Sequence, residues 1–146
     1  MRADSTALGA LQQELPELDW TTDAVRLAQL SQDYSWFSPV LKRQLQDKCA
    51  DLAVRPRDEE EIRRVVAACA RQRVPITLRG AGTGNYGQIV PLHGGVLLDM
   101  GGCNAFSWAR GGVGRAQAGI RLAEFDRQAQ PLGWELRWLP STFRAA

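Results

Sequence analysis

Apolar residues recur at helical spacing at Leu8, Leu11 and Leu15, and Pro16 marks the stop of a first helix. Thr22 or Asp23 caps a second short helix that carries Ala24, Leu27 and Leu30 on one side. The stretch from Gln32 to Pro39 reads as an exposed connector, with Tyr34, Trp36 and Phe37 covering the edge of the core. The clearest pattern begins at a short strand, Ala53 to Val54, that ends at Pro56. Asp58 then stands as a helix N-cap, and Glu61 three residues on completes a capping-box pattern. Ile62, Val65, Val66, Cys69 and Ala70 mark one face of a helix running to about Gln72. Glu59, Glu60 and Glu61 sit at its positive end and Arg71 and Arg73 near its negative end, so both charge biases favour it. Two apolar strands follow, Ile76 to Leu78 and Val96 to Asp99, with a glycine-bearing loop between them.

Strand, helix and strand in so short a span predict a parallel βαβ unit whose helix buries its apolar face on the sheet. Beyond Ala105 the pattern changes. Phe106, Trp108 and Ala109 suggest a strand, Gly111-Gly112 a turn, and Ala116 to Ala118 a second strand ending at Gly119. Leu122, Phe125 and Ala129 fit an amphipathic helix, with Gly133 where a C-cap glycine belongs. The expected organisation is α/β in three stretches. Residues 1–50 form a helical segment and connector, 51–100 a first subdomain, and 101–146 the start of a second that the sequence leaves incomplete.

Composition narrows the classes. Hydrophobic residues make up 45% of the 146-residue chain and charged ones 23%, which excludes a wholly disordered chain. A net charge of +2, with the basic residues spread along the chain, gives no footprint for nucleic acid. Cys49, Cys69 and Cys103 are odd in number and widely spaced, and His93 is the one histidine, so neither a disulfide framework nor a metal site is expected. No apolar run is long enough to span a bilayer, and acidic residues break up the first thirty positions, so no secretory signal is read. The cytoplasm is therefore the default expectation.

The candidate chemistry lies in the loop from Arg79 to Gln88, which directly follows a strand. Gly80, Gly82, Gly84 and Gly87 leave backbone N–H groups uncovered and permit positive φ. Successive bare N–H groups make a concave anion site, to which Thr83 adds a hydroxyl and Asn85 an amide. Arg79 either neutralises a phosphate or locks the loop by bonding to its carbonyls, and the sequence leaves both open. A tight connection without a ligand is the plainer alternative. The Gly-Lys-Ser/Thr ending of a Walker loop is missing. Gly87, Pro91 and Gly94-Gly95 argue against the helix that a Rossmann fingerprint requires. The loop reads as a diphosphate cradle built from backbone in an extended turn.

With that loop set between a strand and Leu97-Leu98-Asp99, the chain resembles the FAD-binding domain of the vanillyl-alcohol oxidase and p-cresol methylhydroxylase (PCMH) superfamily. Glycolate oxidase flavin subunits and D-lactate dehydrogenases are among its members. Val54-Arg55-Pro56 before the capped helix and Ala118-Gly119 before a later helix fit the same pattern, and the resemblance runs from about Asp33 to Ser141. It implies the N-terminal part of a PCMH-type FAD-binding domain. Gly80, Ala81, Gly82, Thr83, Gly84 and Asn85 would cradle the pyrophosphate beside Arg79, with Gly87 and Gln88 near the cofactor. Pro140 and Ser141 resemble the start of a second cofactor-contacting segment. Some relatives attach flavin through a histidine in the loop; none stands here, and His93 lies beyond it, so noncovalent FAD is expected.

The resemblance further implies an FAD-linked oxidase or dehydrogenase acting on a small hydroxy acid or alcohol. The family pattern continues past Pro-Ser into a glycine pair and then a substrate domain. The expectation is thus a truncated fragment that is not active alone, with substrate recognition left to a missing C-terminal region or a partner chain. No catalytic residue can be named. The alternative is an inactive fragment of the same fold that binds FAD weakly or not at all.

Overall fold

A computed structural model describes residues 4–34, 37–108 and 110–145. The first helix, α1 (Ser5–Glu14), starts at Asp4, whose carboxylate accepts the Thr6 N–H, and ends at Leu15, before Pro16. A two-residue strand, β1 (Trp20–Thr21), follows, with the Trp20 indole donating to the Leu15 carbonyl at 2.8 Å. Asp23, rather than Thr22, caps α2 (Ala24–Leu30) by accepting the Arg26 N–H. Inside the expected connector the chain forms a further helix, α3 (Pro39–Leu45), capped by Ser38. None of its residues is fully buried, and Leu41 and Leu45, half-buried one turn apart, make too short a pattern to announce it. Trp36 lies outside the described residues. Tyr34 is 81% exposed and does not cover the core; Asp33 is the residue of this stretch turned inward.

The central unit is β2 (Leu52–Val54), α4 (Glu59–Gln72), β3 (Ile76–Arg79) and β4 (Val96–Asp99). Asp58 caps α4 as expected, its Oδ1 accepting the Glu61 N–H at 2.8 Å. Glu61 does not return the bond to the cap residue. Its carboxylate takes the Arg57 N–H at 2.8 Å and the Arg57 guanidinium instead. Arg73, in a left-handed conformation, ends the helix.

Strands β2, β4 and β3 run parallel, with β4 in the middle, and β1 joins antiparallel to β2, giving the order β1-β2-β4-β3. The two-residue side-chain period of a strand splits the core between two faces. Leu52, Val54, Val96 and Leu98 pack with Leu11 of α1 and Val65, Ala68 and Cys69 of α4. Ala53 and Leu97 point the other way, toward Leu27 and Leu30 of α2. Cys69 is wholly buried, and that burial pushes its thiol up to about 11, so it serves as a core residue.

After a turn of 3-10 helix at Met100–Gly102, a small antiparallel pair forms from β5 (Phe106–Trp108) and β6 (Gly114–Ala116), and α5 (Leu122–Ala129) packs on it. Phe125 of α5 stacks on Trp108, ring centroids 5.3 Å apart. Ala109 lies outside the described residues. The second strand of this pair lies two residues earlier than expected. The ladder is replaced at Gln117, whose N–H donates to the Ala105 carbonyl and whose side-chain oxygen accepts the Ala105 N–H. Gly133 has the expected left-handed conformation, after a short 3-10 turn at Gln130–Leu132 that extends α5. No helix among the described residues is long and apolar enough to cross a membrane.

Candidate functional site

The register of the parallel strands brings three segments to one end of the sheet: Arg55 beyond β2, Arg79 at the end of β3, and Asp99 at the end of β4. The carboxyl ends of parallel strands are where open α/β sheets bind ligands. A cleft of about 1140 Å³ opens there, between the sheet and the β5–β6–α5 lobe. It lies above the upper end of the roughly 300–1,000 Å³ range of small-molecule sites, large enough for a dinucleotide-sized ligand. One wall is Arg79, Gly80, Ala81 and Thr83; the facing wall includes Phe106, Ala118, Gly119, Ile120 and Leu122.

The glycine loop divides into two halves. From Ala81 to Asn85 no backbone N–H has a partner among the described residues, so these donors are available to an anion. The second half is tied to protein: Tyr86 N–H donates to the Gln88 side chain at 3.0 Å, and Gly87 N–H to Asp33 Oδ2 at 2.7 Å. Gly82 has φ +70°, and a Cβ there would overlap the Arg79 guanidinium. Only glycine meets both conditions without strain.

Arg79 locks the loop, but not through the loop's own carbonyls. Its Nη1 donates to the Leu30 and Gln32 carbonyls, each at 2.8 Å, fastening β3 to the end of α2. Burial pulls its guanidinium below the ordinary arginine range, while Asp99 and Asp33 favour the charged form. Because Arg79 also lines the cleft, its charge contributes to the field there.

The structure thus groups Arg79, Gly80, Ala81 and Thr83 on the cleft wall, with Gly82 set against the arginine behind them. Gly84, Asn85, Gly87 and Gln88 continue the loop away from that wall, and the Gln88 amide is turned back on Tyr86. Pro140 and Ser141 are exposed in the C-terminal turn, which reaches the cleft through Ala145. That turn is fastened to α5 by the Ala123 N–H donating to the Phe143 carbonyl at 3.2 Å.

Sequence reasoning named Arg55 only within the Val54-Arg55-Pro56 pattern and did not single out Arg26 or Arg121; all three line the cleft and make it cationic beside Asp99 and Glu124. Asp99 is partly engaged already: it accepts the Gly101 N–H at 3.1 Å and lies 3.6 Å from Arg55. Glu124 is paired with Arg127, which holds its carboxyl below the usual range. Arg55, directly after a strand end, carried a readable signal. Arg26 and Arg121 reach the cleft only through tertiary packing.

These features coincide with known proteins. A family model described as "FAD binding domain" matches residues 50–146. The glycolate oxidase subunit GlcD of Escherichia coli strain K12 is 49% identical over 49 residues, 34% of this chain and 10% of that protein. GlcD of Bacillus subtilis strain 168 is 42% identical over 48 residues, 33% of this chain and 10% of that one. Among solved structures, an alkyldihydroxyacetonephosphate synthase superposes with a TM-score of 0.80 at 23% identity, over 100% of this chain and 31% of that chain. A p-cresol methylhydroxylase with substrate bound gives 0.77 at 16% identity, over 98% and 28%. At such identities these two structures speak for the fold alone. The match therefore spans about a tenth of the curated relatives' length and under a third of the solved chains.

Proposed function

The chain belongs to the FAD binding domain family, and on that premise we propose that it binds FAD noncovalently, with the loop from Arg79 to Asn85 against the diphosphate. One observation carries the reading. A dinucleotide-sized cleft at the carboxyl ends of three parallel strands is walled by a glycine loop whose amides from Ala81 to Asn85 have no partner among the described residues. In a cleft rich in arginine, such an array suits a phosphate anion. Gly80, Ala81, Gly82 and Thr83 form the near side of the cradle; Gly84, Asn85, Gly87 and Gln88 hold its shape. Pro140 and Ser141 belong to the C-terminal turn that reaches the cleft through Ala145. No histidine stands in the loop to form a covalent flavin bond.

In the larger assembly, the proposed activity is oxidation of a small hydroxy acid or alcohol, supported by the GlcD relatives, whose name is that of a glycolate oxidase subunit. Bound FAD would supply the acceptor for the hydride equivalent leaving the substrate carbon. This chain's part is to hold and orient that cofactor. Groups that recognise substrate are proposed to come from a further region or a partner chain.

Calorimetric titration with FAD, ADP and riboflavin tests the diphosphate assignment. FAD and ADP should compete for one site, and riboflavin should bind at least about tenfold more weakly because it lacks the charged phosphates. Equal affinity for riboflavin and FAD would contradict the assignment. Failure of a folded chain to take up FAD would leave the alternative, a fragment that keeps the fold without the cofactor.

A further inference from the structure

We propose that Asp33 is a positioning residue for the cofactor loop, so that the FAD site depends on an N-terminal segment outside the residues that match the family. The inference rests on the FAD reading above. Four hydrogen bonds join residues 30–34 to residues 79–87: the two from Arg79 to the Leu30 and Gln32 carbonyls, one from the Tyr34 N–H to the Gly82 carbonyl, and one from the Gly87 N–H to Asp33 Oδ2. The last two measure 2.7 Å each. The family match begins at residue 50, so nothing in it assigns a role to this segment.

Asp33 is the unusual member. It is 9% exposed and buried in a stretch whose composition reads as solvent-facing connector. Burying a carboxylate is unfavourable, the more so with one oxygen left without a partner among the described residues, so a side chain that merely filled space here would be apolar. Oδ2 holds the Gly87 amide at 2.7 Å, while Oδ1, buried beside Gly84, has no hydrogen-bond partner among the described residues. The carboxylate thus fixes the far end of the turn through Gly87 and packs its other oxygen against the near end at Gly84. It does not line the cleft, so its charge is not presented directly to the diphosphate.

The physical consequence is pre-organisation. A segment with four glycines loses much conformational entropy when its amides are aligned on an anion. Ties formed before the ligand arrives remove part of that loss from the binding step. Arg79 anchors the loop where it leaves β3 and Asp33 anchors it beyond the cradle, leaving the amides from Ala81 to Asn85 without a partner among the described residues.

The test compares the parent chain with Asp33→Ala and Asp33→Asn by FAD calorimetry and by amide exchange in the absence of FAD. In Asp33→Ala the Gly87 amide should exchange about tenfold faster or more, and FAD should bind about tenfold more weakly, as expected for one charge-assisted bond. Amides of Ala53 and Leu97 in the central sheet should be unchanged. Asp33→Asn keeps an acceptor oxygen and should recover part of both losses; it also decides the matter if the alanine variant does not fold. Unchanged Gly87 exchange would overturn the proposal, as would faster exchange with unaltered FAD affinity. A folded parent chain that takes up no FAD overturns the FAD reading itself, an outcome distinct from a parent and variants that bind equally.

Discussion

At the scale of single residues, chemistry is assigned by what each side chain touches. Glu61 shows this at the start of α4. The hydrogen bond from the Arg57 guanidinium, followed by the Arg57 N–H and charge attraction, outweighs burial and holds its carboxyl below the ordinary value of 4.5. A folded-state value depressed in this way contributes stability above the ordinary value and loses it as pH falls through the depressed one. Denaturant midpoints measured from neutral pH to about pH 3 should therefore fall less steeply in Glu61→Gln than in the parent, which starts higher. Parallel acid limbs in the two proteins would rule this contribution out. The same scale explains what the sequence left open. Whether Arg79 meets a phosphate or a carbonyl depends on where Leu30 and Gln32 lie, and they are nearly fifty residues away along the chain. The inward turn of Asp33 has the same cause. Its partner, Gly87, is brought to it by the β3–β4 loop and by nothing nearby in sequence.

At the scale of elements, legibility follows the strength of local pattern. The β2–α4–β3–β4 run was readable because every signal agreed: an apolar face at helical spacing, an Asp cap, acidic and basic ends, and short apolar strands. Two elements gave no such signal. Strand β1 has only two residues and exists because the backbone of β2 offers it partners. Helix α3 fully buries no residue, and its apolar signal is limited to the half-buried pair Leu41 and Leu45 one turn apart. The shift of β6 reflects Gln117, whose side chain competes with the ladder, an event that periodicity does not register. The central strand should be the least tolerant element. Leu98 is wholly buried on β4 against the α1 and α4 face, and Leu98→Ala should lower unfolding free energy by about 2–5 kcal/mol. Urea unfolding checks this; a loss below about 0.5 kcal/mol, typical of surface changes, would contradict the placement of β4 in the core.

At the scale of the whole molecule, the site is the gap between two lobes. Gly119 sets their approach: its N–H donates to the Cys103 carbonyl at 2.8 Å, and a Cβ there would collide with the Met100 carbonyl. That contact brings Ala118, Gly119 and Ile120 opposite the glycine loop and gives the cleft its second wall. The loop itself could be read from sequence as an anion cradle, because its glycines are consecutive with a strand end. The facing wall could be placed only by the resemblance, and Arg26 and Arg121 not at all, because no local pattern tells which surface arginines a cleft will gather. The central claim is that this loop holds the FAD diphosphate. The most direct measurement is calorimetric titration of the folded chain and of Gly82→Asp with FAD. The substitution forces a side chain onto a positive φ and drives its carboxylate against the Arg79 guanidinium, which distorts the cradle. The account predicts saturable one-to-one binding by the parent and none by Gly82→Asp, with cooperative unfolding retained in both. A variant that binds as tightly as the parent, or a folded parent that gives no heat with FAD, would contradict it.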